Sequence, residues 1–193
     1  MLFSSTAIKS RIKLSDTDNL SKFMYTPSEI IPIDNNYFKF EIRVRSNCSV
    51  KNDLSTKKRT TEVKWGICSL NGVIIIEACF DDIGDMEKGL VSVAKYTSKN
   101  SFYSTSKKMW GYADIKGNLV IDYKYAYVQR LSHDLFIARK EERGKLGLVR
   151  ISDGKELTDF VYDSFSEHSS GDVLAYYQKH NEFPVRITRQ GAI

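Results

Sequence analysis

Short apolar segments, separated by polar segments that contain glycine, recur along most of the chain. From residue 37 to residue 44, aromatic and aliphatic side chains alternate with polar, mostly charged ones, and this period of two is typical of a half-buried strand. Further apolar runs follow near residues 90, 135 and 173, and each has roughly the usual length of a strand. The pattern therefore predicts an all-β protein.

Two segments of the chain align with each other without a gap. They begin with Trp-Gly, at Trp65 and at Trp110, and each carries a second glycine seven positions after the tryptophan. Eight positions after that glycine, each segment has an aromatic residue, Phe80 in one and Tyr125 in the other. Self-similarity at fixed positions over this length indicates tandem repeats.

Two more repeats begin at Leu146 and Phe183, which replace the tryptophan, and Pro184 replaces the glycine that follows it. The four starts are 45, 36 and 37 residues apart. Residues 30–45 have the pattern of the second half of a further unit. We interpret residues 1–29 as an N-terminal capping region. The remaining 30–193 form the expected repeat domain, with units that start near 65, 110, 146 and 183.

Each unit is predicted to form a hairpin followed by a third strand. A polar residue and a glycine separate the two hairpin strands. Glycine suits this turn because a positive φ costs little energy only in a residue without a Cβ. One unit cannot bury its own apolar face, so neighbouring units must cover it. The expected fold is a set of tandem β-hairpin repeats. They form either a propeller-like ring, in which residues 30–45 complete the C-terminal half-unit, or a short solenoid.

The units resemble the WG-repeat family, also called the KWG repeat, a bacterial β-repeat. The resemblance rests on Lys64-Trp65-Gly66 and on residues 110–117, which read Trp-Gly-Tyr-Ala-Asp-Ile-Lys-Gly, and it extends over residues 30–193. It implies a scaffold that serves interaction. It offers no catalytic residue to transfer to this chain.

Two roles are open for the tryptophans at the repeat starts: anchors of the core, or an aromatic platform for a ligand. Regular spacing of large apolar residues favours the core. The glycine after each tryptophan lets a neighbouring backbone or ring pack close. We therefore expect the four start residues to occupy equivalent positions in the packed core: Trp65, Trp110, Leu146 and Phe183.

Positive charge is concentrated in the loops that precede the repeat starts. The whole chain has a net charge of +5, whereas segments 51–64, 95–109 and 139–145 together carry an excess of nine positive charges. Aromatic residues interleave with the lysines of the second segment, a pattern of single-stranded nucleic acid binding; simple solvation of charged loops is the alternative. The predicted ligand-binding surface, the basic loop face, comprises Lys57, Lys58, Arg59, Lys99, Tyr103, Lys107, Lys108, Arg139, Lys140 and Arg143.

Cysteine usage and hydropathy indicate the compartment. Cys48, Cys68 and Cys79 are an odd number without CxxC spacing, so the sequence predicts neither a disulfide framework nor a zinc site. Thiols of this kind are typical of a reducing compartment. The chain shows no apolar run of the kind that a secretory signal or a membrane span requires. We therefore expect a cytoplasmic protein without membrane association.

Catalytic signatures are missing from the sequence. It contains no nucleotide-binding glycine motif, no zinc-protease motif and no serine-hydrolase motif. His133 and His168 lie beside Asp134 and Glu167, which would suit a metal or an acid–base pair. We interpret them instead as turn residues and expect no enzyme, no metal and no cofactor.

The leading functional hypothesis is a non-enzymatic interaction module that binds a protein partner through its repeat loops. As an inhibitor, a sensor or a scaffold that tethers its partner, it would fit a bacterial or phage conflict system. The alternative hypothesis is a binder of nucleic acid or a nucleotide through the basic loop face. An enzyme that uses His133 or His168 is the third.

Overall fold

The computed structural model describes residues 28–46, 60–97, 107–132, 134–177 and 183–188. Within these ranges the chain forms 14 strands, arranged in four antiparallel sheets, and no helix. The all-β prediction is confirmed. The described part of the chain accordingly offers no helix with the length and apolar composition of a membrane span. Of the predicted cap, only its last two residues are described.

The chain divides into two compact units, Met1–Gly89 and Leu90–Ile193. The strands of the first unit are β1 (Glu29–Pro32), β2 (Tyr37–Ser46), β3 (Thr60–Ser69), β4 (Ile74–Phe80) and β5 (Asp82–Glu87). β1 to β4 form one sheet in that order. Residues 30–45 thus pair with the Trp65 strand, with Phe40 opposite Gly66. They complete the sheet of the Trp65 hairpin, and not the C-terminal half-unit as the ring hypothesis required.

The described part of the second unit contains nine strands. They are β6 (Leu90–Tyr96), β7 (Lys108–Asp114), β8 (Leu119–Tyr125), β9 (Tyr127–Ser132), β10 (Leu135–Arg139), β11 (Gly147–Arg150), β12 (Ser164–Glu167), β13 (Val173–Tyr176) and β14 (Val185–Ile187). β7 lies between β6 and β8, β10 lies between β9 and β11, and β13 lies between β12 and β14.

Each of these sheets joins the last strand of one sequence repeat to the hairpin of the next. β6, the apolar run that ends the first repeat, pairs with the Trp110 strand β7 and places Val93 opposite Gly111. β10 pairs in the same way with β11 and places Ala138 opposite Gly147. Successive sequence repeats are therefore interleaved by backbone hydrogen bonds.

Three of the four start residues do occupy equivalent positions. Each lies opposite the aromatic residue that follows the turn glycine by eight positions, and these pairs are Trp65–Phe80, Trp110–Tyr125 and Leu146–Tyr162. Both tryptophans are only half-buried, whereas Leu146 is buried. The tryptophans thus lie at the border of the core, with part of each ring accessible.

Phe183 does not occupy the fourth equivalent position. Its side chain is 96% exposed. Val185, and not Pro184, pairs with Ala175, so the register is one residue away from that of the other repeats. Proline has no N–H to donate to the ladder and is rarely found inside a sheet, and the strand accordingly begins after it. The expectation for Phe183 was wrong.

Close packing explains the glycine that follows the tryptophan. A methyl group added at Gly66 would lie 2.6 Å from the carbonyl oxygen of Ile76 and 2.6 Å from Cζ of Phe40, well inside van der Waals contact. The turn glycines Gly72 and Gly117 have φ values of 78° and 85°. Both roles predicted for glycine, close approach and turn formation, are confirmed.

Neighbouring sheets of the second unit share an apolar core. Phe136 of β10 contacts Tyr112 of β7 and Tyr125 of β8, with ring centroids 4.8 Å and 5.5 Å apart. Val149 and Ile151 belong to the same buried cluster. The sheets therefore cover one another's apolar faces, as repeats of this size require.

Candidate functional site

The predicted basic loop face is only partly described. Lys57, Lys58, Arg59, Lys99 and Tyr103 lie outside the described residues. The other five predicted residues fall at two places in the second unit. Lys107 and Lys108 are at the start of β7, whereas Arg139, Lys140 and Arg143 are at the end of β10 and in the turn after it.

The lysines near the third repeat start are neutralised by carboxylates. Lys140 donates a hydrogen bond to Oε2 of Glu156 over 2.8 Å, and its ammonium lies 4.4 Å from the ring centroid of Phe160. Lys145 forms an ion pair with Asp163. This part of the predicted face therefore has less available positive charge than the sequence suggested.

Arg139 is held by an aromatic ring. Its guanidinium carbon lies 5.0 Å from the ring centroid of Tyr127, which is directly opposite in the β9–β10 ladder. Arg143 is exposed in the turn that the Gly144 N–H closes on the Glu141 carbonyl. Arg139 is thus a packed side chain, and Arg143 a surface one.

Trp65 is surrounded by anchored charges. The ammonium of Lys39 lies 4.9 Å from the indole centroid and donates a hydrogen bond to the carbonyl oxygen of Ile83 over 2.6 Å. Lys64 donates to a carboxylate oxygen of Asp81 over 2.5 Å, and this hydrogen bond raises the pKa of Lys64. Both lysines beside Trp65 are therefore engaged in hydrogen bonds within the first unit.

Trp110 has a different environment at the equivalent position. The ammonium of Lys108 lies 5.2 Å from the Trp110 ring and 5.8 Å from the ring of Tyr96. The β6–β7 ladder places Tyr96 opposite Lys108 and Ala94 opposite Trp110, so the two rings and the ammonium lie on one face. Tyr96 is 47% exposed. We call Tyr96, Lys108 and Trp110 on this face, together with Lys95 and Lys107 on the opposite face of the same two strands, the hairpin-end surface.

The surroundings of the two tryptophans differ in charge at several equivalent positions, and lysines change as well as acids, since Lys39 corresponds to Ser92 and Lys64 to Met109. Acidic residues around Trp65 are replaced around Trp110 by lysine or by uncharged residues. The replacements are Glu62 by Lys107, Glu41 by Ala94, Asp81 by Ala126 and Asp82 by Tyr127. One scaffold thus presents an acidic and compensated surface at Trp65 and a basic one at Trp110.

His168 lies in the turn between β12 and β13. The backbone N–H of Ser170 donates to its Nδ1 over 3.2 Å, and the Ser170 hydroxyl is 2.9 Å from the same nitrogen. Nδ1 is therefore an acceptor within its own turn. His133 lies outside the described residues. Among the residues described, no three His, Cys, Asp or Glu side chains are grouped as a metal site would require.

Sequence reasoning missed part of this site. Trp110 was assigned to the core, and Tyr96 was not included in the predicted surface. The signal was present in the aligned repeats, because Lys107 stands where the first repeat has Glu62. This replacement matters because Tyr96 lies opposite Lys108 in the ladder. The sequence around Tyr96 resembles a loop and did not indicate that pairing.

Two segments of the chain, residues 65–96 and 110–143, match the family model of the WG-containing repeat. These are the two repeats with intact Trp-Gly. The resemblance of both repeats to the WG-repeat family is thereby confirmed. A search of curated proteins and a search of solved structures each found no significant match.

Proposed function

We propose that this chain, with its two WG-containing repeats, is a non-enzymatic interaction module that binds a protein partner. One observation carries the proposal: aliphatic side chains are exposed directly after the turn in two hairpins. Val73 is 58% exposed in the first unit, and Leu119 and Val120 are 45% and 40% exposed in the second. Adjacent exposed aliphatic residues are a feature of interaction surfaces.

The position of Leu119 and Val120 in the sheet favours a partner segment in extended conformation. They begin β8, the edge strand next to β7. An edge strand offers backbone donors and acceptors to another strand, and the flanking side chains then select the partner sequence. Asp122 and Lys124 on the same strand are also exposed and would contribute specificity.

The test compares the full chain with the variant Leu119→Lys/Val120→Lys in affinity capture with chemical cross-linking. Val161→Lys is the matched control, because Val161 is a similarly exposed aliphatic residue elsewhere in the second unit. We expect a protein that is cross-linked to the wild type and to the control but not to the double variant. Equal capture by all three chains, or no capture above background, would contradict the proposal.

The proposal of a non-enzymatic role is supported by the absence of a catalytic motif and by His168. Its Nδ1 accepts hydrogen bonds from its own turn, so the nitrogen is committed to local structure. A broad hydrolase and phosphatase screen with the full chain checks this. Turnover that disappears in His168→Ala would refute it.

We propose a short solenoid in preference to a ring for the arrangement of the repeats, since residues 30–45 belong to the Trp65 sheet and not to the C-terminal half-unit. Further support is the recurrence of one strand order, in which the end of a repeat pairs with the next hairpin. Solution X-ray scattering distinguishes the two, since a compact chain of this length has a radius of gyration of about 16 Å. A clearly larger value is expected for the solenoid, whereas a value of about 16 Å would favour the ring.

We also propose a cytoplasmic location. Its support is the number and spacing of the cysteines, which suit a reducing compartment. Fractionation of cells that express the tagged full chain tests the proposal. Recovery in the membrane or extracellular fraction would contradict it.

A further inference from the structure

We infer that the hairpin-end surface binds single-stranded nucleic acid. The inference is independent of the protein partner proposed above, because it rests on different residues of the same sheet. Its central observation is the position of the Lys108 ammonium between the rings of Tyr96 and Trp110.

The ladder fixes this arrangement. Tyr96 and Lys108 are directly opposite one another at the last described pair of the β6–β7 hairpin, and Trp110 is two residues farther along β7. Residues two apart on a strand share a face. The carbonyl of Lys107 accepts a hydrogen bond from the Thr97 N–H over 2.9 Å, which extends the paired backbone past the aromatic pair. The rings are therefore presented by paired strands.

In the first repeat, the charged groups around the equivalent tryptophan, Trp65, make contacts within the fold. There the lysine next to the tryptophan, Lys39, is mostly buried and hydrogen-bonded to a backbone carbonyl. Around Trp110 the lysines are more accessible: Lys95 and Lys107 are exposed. The second repeat has replaced the acids around Trp65 and kept the tryptophan. The cation beside its ring comes from Lys108, at the position of Val63, and not from the position of Lys39, which is Ser92.

Charge around the surface has a single sign over a long stretch. From Lys88 to Ala113 the sequence contains five lysines and no aspartate or glutamate. Lysines that follow a backbone of phosphates bind it with release of counterions, so such a stretch favours a polyanion. The first acid along β7 is Asp114, at the end of the strand that lies away from this surface.

The exposed ring selects a single strand among polyanions. Single-stranded nucleic acids combine phosphates with unpaired bases, and bases stack on accessible aromatic side chains. Tyr96 supplies the ring and Lys108 contacts a phosphate on the same face, whereas Lys95 and Lys107 reach phosphates that pass the opposite face of the hairpin end. Trp110 is a positioning residue, because its indole holds the Lys108 ammonium. A duplex hides its base faces, and an acidic peptide has no base to stack.

The experiment measures fluorescence anisotropy of labelled oligothymidylate and oligouridylate of about 20 nucleotides with the full chain. Three phosphate contacts predict an affinity loss of about 20-fold between 50 and 200 mM salt. Tyr96→Ala is expected to lower affinity about 10-fold, and Tyr96→Phe to retain it, because phenylalanine keeps the stacking ring. Lys107→Glu/Lys108→Glu should lower affinity more than 10-fold and reduce the salt slope by about 1.4.

Two controls separate the surface from general charge. Lys116→Glu/Lys155→Glu makes the same charge change at exposed lysines of the same unit. Arg43→Ala changes the residue that matches Tyr96 in the first repeat, since Arg43 lies opposite Val63 as Tyr96 lies opposite Lys108. Both should bind like the wild type. Circular dichroism confirms that each variant is folded.

Several outcomes would overturn the inference. One is equal affinity for a duplex of the same length together with an unchanged Tyr96→Ala variant. Equal losses of oligonucleotide affinity in the two lysine double variants would also overturn it. So would binding of polyglutamate but of neither oligonucleotide, and so would a lack of oligonucleotide binding at about 50 mM salt. The variant Leu119→Lys/Val120→Lys should bind the oligonucleotides normally, so failure of one proposal leaves the other intact.

Discussion

Replacement of Gly66 by alanine tests the close packing on which the repeat depends. The added methyl group would lie 2.6 Å from the Ile76 carbonyl oxygen and 2.6 and 2.8 Å from two carbons of the Phe40 ring. Carbon atoms normally approach no closer than about 3.5 Å, so β4 and the ring would each have to move by nearly 1 Å. Phe40 is almost fully buried and has little space to move.

We expect Gly66→Ala to lower the free energy of unfolding by about 3 kcal/mol. Overpacking of a tight site costs roughly 1–3 kcal/mol, and displacement of β4 weakens at least one ladder hydrogen bond at about 1 kcal/mol. The melting temperature should fall by about 6–12 °C. Urea denaturation, followed by tryptophan fluorescence and by circular dichroism, measures the loss.

Gly144→Ala is the control for this prediction. A methyl group there would lie 3.3 Å from its nearest neighbour, the Glu141 carbonyl oxygen, and needs only a slight adjustment. Its expected cost is below about 1 kcal/mol, as for most surface substitutions. A loss below 1 kcal/mol for Gly66→Ala, or equal losses in the two variants, would refute the steric explanation of the glycine.

Two further predictions concern the first unit. Lys64→Met or Asp81→Ala alone should cost about 1.5–3 kcal/mol, because each removes a hydrogen bond between two partly buried charges and leaves one of the charges in place. The double variant, which copies Met109 and Ala126 of the second repeat, should lie within about 1 kcal/mol of the wild type; additive losses in urea denaturation would contradict this. Cys68 is buried, and burial raises the pKa of its thiol from 9.0 to about 11. The buried neutral thiol therefore contributes fully to stability below pH 9, and this contribution is lost as the pH rises towards 11. A thiol reagent at pH 8 should modify exposed Cys79 rapidly and Cys68 only on unfolding. The variant Cys68→Ala should lose less stability than the wild type between pH 9 and 11. Rapid modification of Cys68 in the folded chain would show that its thiol is not buried.

The strands and the repeat register could be predicted because they depend on local sequence. The alternation before residue 45, the turn glycines and the Trp-Gly pairs each determine their own short segment, and all are found where the pattern placed them. Phe183 was misassigned because an aromatic residue in the expected phase was given more weight than the proline after it. Proline cannot join the ladder, and the register shifted.

The candidate surface was less predictable, since it depends on which side chains meet across strands. Lys140 and Lys145 were counted as available charge until the fold brought Glu156 and Asp163 to them. Conversely, Tyr96 gained significance only when the ladder placed it opposite Lys108. Charge counts along a sequence describe a loop, whereas binding depends on what remains uncompensated after folding.

The interleaving of strands has a consequence for engineering and for recombination in evolution. A fragment cut before Trp110 or Leu146 would separate β6 from β7 or β10 from β11 and divide one sheet between the two fragments. A cut at Ala126, the single residue between β8 and β9, or at Asp163, directly before β12, falls at a junction between sheets. Circular permutants or shuffled chimaeras that join at these two residues would exchange whole sheets, and the exchangeable module is offset from the repeat that the sequence displays.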